Sequence, residues 1–160
     1  MTLRIGIGYD LHRLDEQGTF MILGGVRIPH HRGFVAHSDG DVLVHAIIDA
    51  MLGAAGLGNI GQRFPDSDPN LKGADSLVLL ERTKRLLQSA GFIVVNIDSF
   101  IIAEEPKLTP HVEAMRQRIA ETLDIERNRI SIKPKTNEGV GAEGRQEAVS
   151  AQSVVLLEER

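Results

Sequence analysis

Asp10 and His12 stand two residues apart in Asp10-Leu11-His12, and a second run, His37-Ser38-Asp39-Gly40-Asp41, is followed by His45. Imidazoles and carboxylates in this combination are the donors that hold a divalent metal with one position left open. The first run follows the apolar stretch Leu3 to Tyr9, which reads as a strand. Residues two apart on a strand point the same way, so Asp10 and His12 can reach one metal together. The second run opens a helix, with His45 one turn in from Asp41. Asp10, His12 and His45 are therefore the expected ligands, and three protein ligands leave a fourth position for substrate or water. An all-nitrogen-and-oxygen set does not by itself select zinc over manganese or iron. The same run also reads as a plain helix start, because Ser and Asp cap helices and favour their positive end. On the functional reading His37 donates a hydrogen bond to phosphoryl oxygens, and Ser38 does the same or caps. Asp39 and Asp41 read as capping or supporting groups. Asp49, one turn past His45, is the expected acceptor for its imidazole.

A second polar group lies late in the chain. Lys133-Pro134-Lys135-Thr136-Asn137-Glu138-Gly139 gathers cations, a hydroxyl, an amide and a carboxylate. Such a set suits a phosphate bound with Mg²⁺, with Lys and Thr on oxygens and Glu on the metal. Lys107, after Pro106, adds a further cation. These loops fall at strand ends, where the ligand crevices of α/β sheets form.

The elements that must position these groups follow from periodicity. Leu3 to Gly8 alternates as a strand, and Phe20 to Ile28 reads as strand broken at Gly24-Gly25 and stopped by Pro29. Asp41 to about Leu52 is helical, with Val44, Ile47, Ile48 and Met51 on one face. Residues 53 to 73 are long and rich in Gly and Pro, and Phe64 and Leu71 anchor them as an ordered lid. Asp75 or Ser76 caps a helix running to Ala90, its apolar positions Leu77, Leu80, Leu86 and Leu87, with Gly91 as its stop. Phe92 to Ala103 is a strand. Thr109 caps and Pro110 opens a helix to about Leu123, with Val112, Met115, Ile119 and Leu123 as its buried stripe. Arg129 to Lys133 and Val149 to Leu157 are strands, and 134 to 147 is a polar loop. The expectation is one α/β domain over residues 1–160. It is an α+β sandwich with a single mixed sheet and helices packed on one face, in a ferredoxin-like arrangement.

The 160 residues are 42% hydrophobic but only 4% aromatic, so the core is aliphatic. A net charge of -4 argues against a nucleic-acid partner, which calls for a basic surface. There is no Cys, hence neither a disulfide framework nor a thiolate metal site. No apolar run approaches the ~20 residues of a membrane span, and no signal peptide is read at the start. The expected location is the cytoplasm.

Asp10-Leu11-His12, Gly24-Gly25-Val26-Arg27-Ile28-Pro29, Ala36 to Asp41, His45, Gly58-Asn59-Ile60-Gly61, Phe64 to Pro69, Lys72 to Ser76 and Ala103 to His111 together resemble the 2-C-methyl-D-erythritol 2,4-cyclodiphosphate synthase family. The resemblance runs in order over essentially the whole chain. It implies conversion of 4-diphosphocytidyl-2-C-methyl-D-erythritol 2-phosphate to the 2,4-cyclodiphosphate, with release of CMP, in the non-mevalonate isoprenoid pathway. It also implies that Asp10, His12 and His45 carry zinc and that Glu138 reaches a Mg²⁺ or Mn²⁺ on the substrate diphosphate. His37 and Thr136 fall where the family stabilises the transition state. Asp10, Leu11, His12, His37 and Ser38 would contact the substrate. Asn59, Ile60 and Gly61, with Phe64, Pro65, Asp66, Ser67 and Asp68, would hold the methylerythritol part. Ala103, Pro106, Lys107, Leu108 and Thr109 would hold the cytidine diphosphate, joined by Lys135, Thr136, Asn137 and Glu138. Ala142 and Arg145 fall on the family's trimer axis, and the family is a homotrimer with active sites between subunits. Asn59 stands where the family has Asp, and Ala142 where it has a bulky apolar residue. Two rival readings use the same residues: a metal-dependent phosphodiesterase that activates water, and a nucleotide- or metal-binding module without catalysis.

Overall fold

One helix, α1 (Val42–Ala54), is apolar on every side, and the rest of the chain is arranged to bury it. The computed structural model describes residues 1–160. In α1 only Asp49 and Gly53 escape burial. A helix with apolar residues all round belongs in the interior rather than on a surface.

The main sheet contains β1 (Thr2–Leu14), β4 (Phe34–Val35), β5 (Phe92–Ile102), β6 (Ile130–Lys135) and β7 (Ala148–Glu159). Its order is β4-β1-β7-β5-β6. β5 and β6 are parallel and the other pairs antiparallel, so the sheet is mixed as expected. β2 (Phe20–Leu23) and β3 (Val26–Pro29) form a separate hairpin. Helices α2 (Ile60–Arg63), α3 (Ser76–Ser89), α4 (Val112–Leu123) and α5 (Gly141–Gly144) complete the chain. The ferredoxin-like expectation is corrected: the large elements run β-α-α-β-α-β-β, not β-α-β-β-α-β. The last strand, β7, is inserted between β1 and β5.

α1 lies directly on β1. A Cβ at Gly6 or Gly8 would run into the carbonyl oxygens of Ala50 and Ala46, so only glycine admits the helix this close. Asp10 and His12 continue that same face toward α1, which is why they come to meet His45. The intervening residues Leu3, Ile5, Ile7, Tyr9 and Leu11 point to the opposite face and are exposed. Helices thus cover one face of the sheet only.

The hairpin turn Gly24-Gly25 has positive φ at both residues (59° and 71°), the geometry of a two-residue primed turn. Both glycine N–H groups donate to the buried carboxylate of Asp41, at 2.9 and 2.7 Å, and Val44 N–H donates to it at 3.0 Å as the α1 cap. Burial and the nearby Asp39 charge push this carboxyl up, and the three N–H donors pull against them. Asp41 thus fastens the hairpin to the start of the helix that carries His45. Asp41→Ala leaves three amide donors without a partner at about 1–3 kcal/mol each. A calorimetric melting temperature lower by about 10 °C is expected, and an unchanged one would show that water replaces the carboxylate.

Several boundaries differ from the sequence expectation. β1 runs on to Leu14, past its expected end at Gly8, and keeps Asp10 and His12 on one strand face as their spacing implies. The lid contains α2 and a 3-10 turn at Pro69–Leu71. Thr109 does not cap: Thr109–His111 form a 3-10 turn, and α4 starts at Val112. The loop from 134 begins as the end of β6 and includes α5.

Candidate functional site

Three ligand atoms converge at the end of β1. His45 Nδ1 lies 3.0 Å and His12 Nε2 lies 3.2 Å from Asp10 Oδ2. All three atoms lie within 4.8 Å of one another. Tetrahedral ligands about 2.0–2.1 Å from a zinc ion stand about 3.3 Å apart, so the spacing fits a small divalent ion. His12 Nε2 is buried and accepts or donates no hydrogen bond. A buried imidazole nitrogen without a partner is costly, and a bound cation removes that cost. These residues fit a metal. Burial alone would raise the Asp10 carboxyl, but the neighbouring imidazoles of His12 and His45 outweigh it and hold it well below the carboxylate range. Burial alone would lower His45, but Asp10, then Asp41 and Asp39, raise it.

The far nitrogen of His45 is held by Ser76, which sequence reasoning offers only as a helix cap, and by Ser38. Ser76 Oγ lies 3.0 Å from His45 Nε2, and Ser38 Oγ lies 3.4 Å away. Ser76 Oγ–H in turn donates to Asp39 Oδ1, and Ser76 N–H donates to Asp39 Oδ2 at 2.9 Å. This Asp39–Ser76–His45 chain fixes the ring so that Nδ1 faces Asp10. The signal was present: Ser76 sits four residues before Leu80 on the buried stripe of α3, where a serine needs a partner. Asp49 does not play the part expected of it. Its Oδ1 accepts from Ile60 N–H at 2.9 Å, tying α1 to α2. Ser76→Ala is expected to weaken metal affinity by about 10- to 100-fold without changing the melting profile. A metal titration by calorimetry checks it, and unchanged affinity would make the serine a packing residue.

The ligands open into a cavity of about 210 Å³, lined also by His37, Ser38, Asp49, Ile60, Gly61, Phe64 and Asp66. Asn59 stands just outside it as the cap of α2, accepting from Gln62 N–H at 2.9 Å. Its neutral amide suffices for that capping. Asp68 is likewise a cap, accepting from Asn70 N–H at 2.9 Å. Pro65 and Ser67 are exposed on the lid. Leu11 projects from the opposite face of the sheet, so its side chain is turned away from the cavity.

A second cavity, of about 550 Å³, lies at the ends of β5 and β6. Ala103, Pro106, Lys107, Leu108 and Thr109 form one wall and Lys135 and Thr136 the other. Asn137 and Glu138 follow on the adjoining loop. The two cavities share no lining residue, although both lie at the same end of the sheet. The register Asp10–Ala151–Ile101 puts them two strands apart, about 10 Å. Ala142 and Arg145 line neither cavity; Arg145 Nε donates to Glu147 Oε1 at 2.9 Å.

The YgbB family profile matches residues 3–158. The 2-C-methyl-D-erythritol 2,4-cyclodiphosphate synthase of Syntrophomonas wolfei is 54% identical over 157 residues, covering 98% of this chain and 99% of its own. Among solved structures, the bifunctional IspDF of Campylobacter jejuni superposes with a TM-score of 0.95 at 41% identity, over 99% of this chain and 43% of that one. IspF of Plasmodium falciparum, in a CDP complex, superposes with a TM-score of 0.86 at 32% identity, over 99% and 97% of the two chains. In sequence over nearly its full length, and in the course of its backbone, this chain belongs to the YgbB family of 2-C-methyl-D-erythritol 2,4-cyclodiphosphate synthases.

Proposed function

We propose that residues 1–160 form one cyclodiphosphate synthase domain acting in the cytoplasm. It converts 4-diphosphocytidyl-2-C-methyl-D-erythritol 2-phosphate to 2-C-methyl-D-erythritol 2,4-cyclodiphosphate and CMP, a phosphorus–oxygen lyase reaction. The observation that carries this reading is the convergence of Asp10 Oδ2, His12 Nε2 and His45 Nδ1 beside a cavity of substrate-fragment size. Those three residues would hold zinc. Glu138 would carry Mg²⁺ or Mn²⁺. Bound there, the two ions supply Lewis-acid withdrawal of charge from the diphosphate.

The chain's own residues do the rest. An oxygen of the 2-phosphate attacks the β-phosphorus, and the bond to the α-phosphate oxygen breaks as CMP leaves. The nucleophile is already an anion on the same molecule, so no residue need strip a proton from water. Catalysis is then mostly positioning and charge stabilisation. His37 and Ser38 donate to oxygens at the first cavity, and Thr136 and Lys135 at the second. The lid residues Ile60, Gly61, Phe64 and Asp66 close over the methylerythritol part. Lys107, with the backbone of 103–109, holds the cytidine diphosphate, in keeping with the CDP found on the Plasmodium relative.

The domain works as a homotrimer. Two observations support this. The uncovered sheet face presents Ile5, Ile7 and Tyr9 at 73%, 64% and 58% exposure, with Val154 beside them. Contiguous apolar surface of this kind marks an interface. The two cavities are also separate within one chain, and a neighbouring copy would bring the second to the first. Phosphorus NMR with the diphosphocytidyl 2-phosphate, Zn²⁺ and Mg²⁺ tests the activity. Two coupled resonances of a cyclic diphosphate, appearing with CMP, are expected. An open-chain bisphosphate would make the protein a hydrolase, and no turnover with metal bound would make it a binding module.

A further inference from the structure

The loop after β6 carries Thr136 and Glu138, yet little of it is packed. Thr136, Glu138, Gly139 and Val140 are exposed. Two of its hydrogen bonds are internal, Val140 N–H to Asn137 O at 3.0 Å and Glu138 N–H to Thr136 Oγ1 at 3.3 Å. The bonds that tie residues 136–140 to the rest of the chain end on one side chain, Glu104. Asn137 N–H donates to Glu104 Oε2 at 3.0 Å, and Gly139 N–H donates to Glu104 Oε1 at 2.8 Å.

Those two amides flank Glu138, whose φ is 52°. A left-handed backbone is uncommon for any residue but glycine, asparagine or aspartate, and here it turns the amides on either side of Glu138 toward one carboxylate. Glu104 itself lies two residues past the end of β5 and, with Ala103, forms part of the wall of the second cavity. Ala103 N–H donates to Lys135 O at 3.0 Å, and Glu104 extends that link to the unsupported part of the loop. One carboxylate thus joins the wall formed by 103–109 to the loop that bears the reacting groups.

We propose that Glu104 is a positioning residue for the synthase reaction. Through its two carboxylate oxygens it fixes the backbone on either side of Glu138 in the pose that the reaction requires. The proposal rests on the functional reading above. A carboxylate is the group the geometry demands: each oxygen accepts from one N–H, and neither donates. Glutamine has the same shape, but its amide nitrogen would face an N–H donor, so one tie is lost and replaced by repulsion.

The test compares the wild-type trimer with Glu104→Gln in four measurements. Amide hydrogen exchange at Asn137 and Gly139 is expected to accelerate by about 10-fold or more as the tie opens. Turnover number is expected to fall about 10- to 100-fold, while KM moves by less than about threefold. Bound zinc and the melting temperature, within about 2 °C, stay as in the wild type. Wild-type turnover in the glutamine variant overturns the proposal and leaves the synthase reading intact. So does a loss of turnover that tracks a lower melting temperature, or amide exchange that does not change. If the wild-type protein itself fails to cyclise the substrate, the synthase reading falls, and the proposal with it.

Discussion

His12→Ala is expected to remove the bound metal and to lower turnover by roughly 10³-fold or more, with the fold retained. Asp10, His12 and His45 are the only ligand group of three in the chain, so loss of one leaves two donors and an open shell. Lewis-acid stabilisation of a diphosphate is worth several kcal/mol, and each 1.36 kcal/mol is a factor of about ten. The fold survives because His12 lies at the end of β1, partly exposed, and its Nε2 satisfies nothing else in the protein. Metal analysis, circular dichroism and the phosphorus NMR assay check this together; full turnover without metal would remove the metal from the mechanism. The same site fixes the sense of the pH dependence. The carboxylates around His45 raise its pKa, so in the metal-free protein a proton competes for Nδ1. Metal affinity is therefore expected to fall as pH drops through that raised value.

Those three ligands were legible in the sequence because each stands on an ordinary element at the spacing that element imposes. Asp10 and His12 share a strand face, and His45 lies one turn into a helix. Asp75 and Asp41 announced their helices as caps, and the structure shows both accepting N–H bonds there. What stayed hidden depends on distant pairing. Strand β1 pairs with β7 along nearly all its length, and this carries it on to Arg13, at the start of a polar stretch that by composition reads as loop. The placing of β7 between β1 and β5 is a contact between chain ends and leaves no local trace. Asp49 shows the limit of spacing arguments. One turn past His45, it was matched to the imidazole. The chain after α1 folds back instead and presents Ile60 N–H to Asp49, while Ser76 from α3 takes the histidine. Helices α2 and α5, four residues each, are too short for periodicity to declare them; only the Asn59–Gln62 capping box signals the first.

Ile7→Asp separates the two halves of the proposed site. Ile7 lies at the centre of the exposed strand face, paired in register with Val154, and its side chain contributes nothing to the α1-facing core. A single chain therefore tolerates the change. An apolar contact between copies does not, since it would bury an unpaired carboxylate at a cost of several kcal/mol per subunit. Light scattering is expected to show monomer in place of trimer. The two activities of the site should then part. Zinc binding persists, because all three ligands come from one chain and lie on the far face of the sheet. Turnover falls by about 100-fold or more, because the loop with Thr136 and Glu138 no longer reaches the metal of a neighbour and substrate positioning is lost. A monomer that retains both zinc and turnover would mean that each chain completes its own site across the roughly two-strand gap between its cavities. A monomer that loses zinc as well would mean that assembly shapes the ligands themselves. The combination of retained metal and lost turnover is specific to a site shared between subunits.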